Sequence, residues 1–193
     1  MYDLFFIELN KKLSLTSGEE ELFRKYIIPK KLRKKQYLLQ EGDVCKYVTF
    51  VEKGMLRSYA LDEKGTEKIF QFAPEGWWIS DMYSFITAES ATLSIDALED
   101  SELVLISKSS LDELRDKIPS FMAFSLNQIQ TAYIALQRRL FDMVNLSTAE
   151  KYTKLVQTYP DIVQRAPQHM IASYLGLTPE ALSRVRRRIA DGG

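Results

Sequence analysis

Four arginines fall within five positions in the stretch LTPEALSRVRRRIA, residues 177–190. Guanidinium groups are planar forks that pair with phosphate oxygens or with the edge of guanine. Arg184, Arg186, Arg187 and Arg188 therefore have the chemistry of anion capture. The alternative is a solvated helix end, where cations are favourable beside the negative end of the dipole. Total charge does not decide between the two, because 26 Lys and Arg balance 26 Asp and Glu. The distribution does. From Arg165 onward five arginines stand against Glu180 and Asp191, a net +3, leaving −3 on the preceding 164 residues. A basic module on an acidic body points to an anionic partner for that module alone.

The elements that would present these residues can be read from their neighbours. IASYLG, residues 171–176, has Ile171, Ala172 and Leu175 on one helical face and Gly176 as an expected left-handed cap. Thr178 is a good N-cap, Pro179 suits the first helical position, and Glu180 lies in the positive first turn. This is helix, tight turn, helix. At about 100° per residue, Ala181, Leu182, Val185 and Ile189 share a side expected to be buried. Glu180, Ser183, Arg184 and Arg187 project from the opposite side, with Arg186 and Arg188 on the flanks. Such a face suits the major groove of double-stranded DNA.

Upstream, Met122, Leu126, Ile129, Tyr133, Leu136, Leu140 and Met143 are spaced 4, 3, 4, 3, 4 and 3, with no Gly or Pro between Ser120 and Tyr159. A helix packed along a small sheet would show one apolar face. A heptad seam this long and regular exceeds that need, so the expectation is a parallel homodimer. Before it, residues 35–107 hold short β-branched and aromatic runs punctuated by Gly42, Gly54, Gly65 and Gly76, the spacing of a compact antiparallel sandwich or barrel. Residues 1–34 are expected to be helical, with Ser17 as a cap. The segment TAEKYTKLVQTYPDIVQRAP, residues 148–167, supplies one helix and a Pro-marked loop. The N-terminus lacks a signal-peptide pattern and no run is long enough to span a bilayer, so a cytoplasmic protein without membrane contact is expected.

Other chemistries find little support. Cys45 is the only cysteine, which excludes an internal disulfide and the cysteine-rich metal sites; it is expected to be a small buried hydrophobe in a strand. His169, the only histidine, has no acid or serine arrangement around it and is expected to cap or face solvent. No nucleophile–base set, metal cluster or phosphate-cradling loop is visible, so neither an enzyme nor a metal site is expected.

The order helices, β-strands, long seam helix, helix-turn-helix resembles the Crp/Fnr family of bacterial transcription regulators. LLQEGDVCKYVTFVEKGMLRSYALDEKG, residues 38–65, resembles the family's opening β-roll strands, and IASYLGLTPEALSRVRRRI, residues 171–189, resembles its Bacteroidetes-type members. The resemblance implies an α+β fold: a cyclic-nucleotide-binding-like β-roll (jelly roll) with flanking helices over 1–118, a dimerisation helix over 119–145 and a helix-turn-helix domain over 146–193. It implies a homodimeric, sequence-specific regulator on a palindromic operator in double-stranded DNA, with RNA polymerase a further candidate partner. The alternative is a small-molecule sensor acting through protein contacts.

Two departures from the family bear on function. Cyclic-AMP-binding members hold the sugar-phosphate with a Gly-Glu pair and an Arg-Ser pair, where this chain has Ser80-Asp81 and Ala91-Thr92. Ala91 cannot neutralise a phosphate. No Lys or Arg lies between Lys68 and Lys108, while Glu75, Asp81, Glu89, Asp96, Glu99, Asp100 and Glu102 do, so an acidic surround is expected. A phosphate there would lack a charge-assisted donor. No cofactor is expected, and a cyclic nucleotide is disfavoured against a neutral or apolar effector. The effector pocket implied by the resemblance comprises Trp78, Ser80, Asp81, Met82, Ala91, Thr92 and Tyr133. Trp77 and Trp78 could stack on a ligand, but core packing is favoured. In the recognition helix Pro179 replaces the family's first Arg, while Glu180 and Arg184 match the other two readers. Too few residues follow Ile189 here for the family's β-hairpin wing, so phosphate anchoring is expected from Arg186, Arg187 and Arg188 or from helix amide ends.

Overall fold

A computed structural model describes residues 2–190. They form two compact units, one of residues 2–60 with 71–129 and one of residues 61–70 with 130–190. The division falls inside the long helix and assigns the tip of one β-hairpin to the C-terminal unit.

The first unit opens with α1 (Asp3–Leu13) and α2 (Ser17–Tyr26). The backbone N–H groups of Leu4 and Phe5 donate to the Glu52 carboxylate at 2.9 Å each, so a residue some 48 positions away satisfies the start of α1. Thr16, not Ser17, caps α2. Its hydroxyl accepts from the Glu19 N–H while the Glu19 side chain takes the Thr16 N–H, a reciprocal box that Ser17 does not form.

Eight strands follow: β1 (Ile27–Leu32), β2 (Tyr37–Leu39), β3 (Tyr47–Lys53), β4 (Leu56–Leu61), β5 (Glu67–Ala73), β6 (Trp78–Ile79), β7 (Ser94–Ala97) and β8 (Ser101–Ser107). They make two four-stranded sheets, ordered β1-β8-β3-β6 and β2-β7-β4-β5. The expected helix over residues 27–34 is therefore a strand. Ile27 and Ile28 favour extended backbone, and Pro29 is tolerated because β1 lies at a sheet edge, paired only with β8. The four spaced glycines lie between successive strands. Gly54 has φ +90°, and a Cβ there would come within 2.3 Å of Ser101 Oγ and 2.8 Å of the Asp100 carbonyl. Cys45 is buried as expected, but it lies in the β2–β3 loop rather than in a strand. Phe5, Phe50 and Trp78 meet edge to face, joining α1 to β3 and β6, and Phe23 of α2 meets Phe121 edge to face.

Short α3 (Met82–Thr87) and α4 (Lys108–Lys117) lead to α5 (Pro119–Asn145), one unbroken helix of 27 residues. Its first turns bury Phe121, Phe124 and Ser125 in the first unit. In the second unit α6 (Thr148–Thr158), α7 (Pro160–Arg165), α8 (Gln168–Tyr174) and α9 (Pro179–Ala190) complete the chain. The expected loop after α6 is helical, because Pro160 takes the N1 position where its missing N–H costs nothing. No helix among the described residues is long and apolar enough to cross a membrane.

Candidate nucleic-acid interface and sensor cavity

The helix-turn-helix is built from local hydrogen bonds that the sequence specifies. Leu177 N–H donates to the Ala172 carbonyl at 2.8 Å and Gly176 N–H to that of Ser173 at 3.0 Å. This 6→1 and 5→2 pair, with Gly176 at φ +70°, is a Schellman turn. Thr178 Oγ1 accepts from the Ala181 N–H at 3.2 Å and starts α9. Ile171, Ala172, Leu175 and Leu182 are buried, and α9 packs against α6 and α8. Burial along α9 tapers, contrary to the uniform apolar side expected. Leu182 is enclosed, Val185 is half-buried and Ile189, one turn further on, is 41% exposed.

Thr178, Glu180, Ser183, Arg184, Arg186, Arg187 and Arg188 are all exposed, so the structure leaves the whole basic surface free to meet a ligand. The Glu180 carboxyl is held below its ordinary value by its own backbone N–H and by the Thr178 hydroxyl, with the Arg184 charge adding to the effect. It stays ionised as an acceptor beside a donor one turn away. His169 is exposed at the start of α8.

The seam residues of α5 are open. Met122, Leu126, Ile129, Tyr133, Leu136, Leu140 and Met143 are each between 43% and 67% exposed. They lie on a different face from Phe121, Phe124 and Ser125, so packing within the first unit leaves the apolar stripe uncovered.

The first unit contains a cavity of about 330 Å³ lined by Leu38, Leu39, Asp43, Val44, Cys45, Lys46, Tyr47, Thr49, Ile79, Ser80 and Ile95. Of the residues implied by resemblance, Ser80 lines it. Trp78 packs with Phe5 and Phe50, Met82 and Thr92 face solvent, Ala91 is buried, and Tyr133 belongs to the other unit. Sequence patterns missed the β2–β3 loop because its residues meet Ile79 and Ile95 only through tertiary pairing.

Asp81 is buried and its carboxylate is already engaged. It accepts from the Ser84 N–H at 3.0 Å, the Thr92 N–H at 3.2 Å and the Leu93 N–H at 3.3 Å. The Asp81 carboxylate thus occupies the Thr92 and Leu93 amides, in the segment the resemblance implies would hold a phosphate. The expected acidic surround is dispersed by pairing. Asp96 forms a buried two-pronged contact with Arg57 at 2.7 and 3.0 Å, Glu102 pairs with Lys31, Glu75 accepts from Gly54 N–H and Asp100 from Lys34 N–H. Arg57 stacks 4.3 Å above Tyr59, whose phenol is pushed well above its usual value by burial and by its hydrogen bond to Tyr37. The Cys45 thiol is also pushed up, chiefly by burial, which keeps it protonated and unreactive.

Residues 29–117 match the family model described as a cyclic nucleotide-binding domain. The chain is 28% identical to regulatory protein HlyX of Actinobacillus pleuropneumoniae, over 94% of this chain and 80% of that protein. It is 27% identical to the transcriptional activator protein Anr of Pseudomonas aeruginosa, over 84% and 70%. Among solved structures it superposes on a c-di-GMP-responsive global regulator of Xanthomonas campestris with TM-score 0.72 at 17% identity, covering 92% and 93% of the two chains. The catabolite activator protein of Thermus thermophilus superposes with TM-score 0.55 at 18% identity, covering 95% and 87%.

Proposed function

We propose that this chain is a transcription regulator of the Crp/Fnr type, a homodimer that reads a palindromic operator in double-stranded DNA, a reading supported by its cyclic nucleotide-binding domain and its regulator relatives. It acts by binding DNA rather than by catalysis. The observation that carries the reading is α9: a helix fixed by a Schellman turn and an N-cap, with every basic side chain exposed. Glu180 accepts from a cytosine amino group, Arg184 donates to guanine, and Ser183 completes the reading face. Arg186, Arg187 and Arg188 hold phosphates. The open seam on α5 supports pairing of two copies, which would present two recognition helices to successive major grooves about 34 Å apart.

The sensor unit has lost phosphate recognition. Asp81 fills the amide cradle, Ala91 supplies no cation, and the buried Arg57 is committed to Asp96. A cyclic nucleotide would have to displace one anion with another, with no charge-assisted donor at the cassette. An effector, if one acts, is neutral or apolar and enters the cavity beside Ser80, Cys45 and Thr49.

The test is selection of bound sites from random duplex DNA, with and without cyclic AMP. A palindrome recovered equally in both conditions is the expected result. Recovery only with the nucleotide would overturn the account of the sensor, and recovery of no site at all would favour action through protein contacts.

A further inference from the structure

Arg139 lies on α5 one residue from exposed Arg138, yet it is half-buried. Its guanidinium donates to the carbonyl of Phe70, to that of Ile69 at 3.3 Å and to that of Tyr174 at 3.1 Å, and it lies 4.0 Å above the Tyr174 ring. Among the described residues no carboxylate pairs with it. Its partners are two carbonyls of the β4–β5 tip and one at the end of α8. Ser173 makes a second link between the same two elements. Its hydroxyl donates to the Glu67 carbonyl at 2.8 Å and accepts from the Ile69 N–H at 3.0 Å. All these residues lie within one compact unit.

A half-buried cation without a counter-ion is costly unless its donors are satisfied. Only a guanidinium can meet three carbonyls and stack on a ring at once; an ammonium has neither the fork nor the plane. The arrangement therefore selects arginine for geometry rather than for charge. What it joins matters for DNA. α9 packs on α8, α8 is tied to α5 by Arg139, and α5 carries the open seam. The angle between α8 and α5 sets where each recognition helix stands relative to the dimer axis.

We propose that Arg139 and Ser173 form a positioning latch that holds α8 against α5 and the β4–β5 tip, and thereby sets the half-site spacing that the protein accepts. The proposal rests on the DNA-binding reading. Neither residue touches DNA; both act through α8.

The test uses the full chain with Arg139→Lys and Ser173→Ala, two mild variants, and has two readouts. Hydrogen–deuterium exchange follows segments 66–71 and 168–176. Binding is measured on the selected palindrome with its half-sites moved apart or together by one and two base pairs. The latch predicts faster exchange in both segments for both variants. It also predicts that discrimination between spacings falls by about tenfold, the scale of one mismatched base pair, while half-site preference and salt dependence stay as in the unaltered protein. Unchanged exchange in both variants overturns the latch, and unchanged spacing preference overturns its positioning role. If the unaltered protein binds no duplex, the regulator reading falls and the positioning role with it, and exchange alone judges the latch.

Discussion

At the residue scale, single side chains carry separable tasks. On the proposed DNA reading Arg184 contacts a base, so Arg184→Ala is expected to weaken specific binding by about 1–3 kcal/mol and relax one operator position. Competition against duplexes varied at each position checks this, and equal loss on every sequence would assign Arg184 to phosphate instead. Gly54 has a different burden. Its φ of +90° and a Cβ clash at 2.3 Å with Ser101 mean that Gly54→Ala should destabilise the roll by about 2–3 kcal/mol. A lowered urea midpoint with unchanged slope would show it. At Asp81 and Arg57 each buried charged side chain has its hydrogen bonds satisfied inside the protein.

At the element scale, the helices are set by their ends. Ser147 and Glu150 form a reciprocal cap at the start of α6, with the Ser147 hydroxyl and N–H both donating to the Glu150 carboxylate at 2.6 and 2.8 Å. Ser147→Ala should cost about 1 kcal/mol of stability. Those hydrogen bonds, the side-chain one first, hold the Glu150 carboxyl below its ordinary value of 4.5. A depressed folded value contributes stability above the ordinary value and loses it as pH falls through the folded one. The gap between Ser147→Ala and the unaltered protein should therefore narrow below about pH 4.5 in thermal melts. α5 is the element whose two faces serve different ends. Phe121 and Phe124 anchor it in the first unit, while the seam from Met122 to Met143 stays open.

At the scale of the whole molecule, the proposed dimer would cover that open seam. Leu136→Glu with Leu140→Glu places like charges at successive seam positions and should yield a monomer by sedimentation. Each monomer keeps its helix-turn-helix but presents one recognition helix, so palindrome binding should fall to the level of a half-site. For the unaltered dimer, affinity should drop steeply between about 50 and 200 mM salt, as counterion release requires. A salt-insensitive interaction would instead indicate protein contacts.

Much of this was legible from local pattern. The heptad seam, the Gly176 turn, the Thr178 cap and the exposed arginine face depend on residues a few positions apart, and helical geometry turns such spacings directly into faces and caps. The strands over 35–107 were legible from their glycine spacing for the same reason. Local pattern failed where a partner far along the chain decides. Residues 27–34 carry a helix-compatible composition, yet β8 draws them into an edge strand. The acidic residues counted around the cassette are scattered by partners such as Arg57 and Lys31, and Asp81 takes the Thr92 and Leu93 amides. The cavity beside Cys45 and the union of Arg139 with the β4–β5 tip likewise join segments far apart in sequence. Sequence determined the seam on α5, the Gly176 turn, the Thr178 cap and the exposed arginine face of α9. Only the tertiary structure decided which charges are spent inside the protein, because hydrogen-bond partners are chosen by proximity in space.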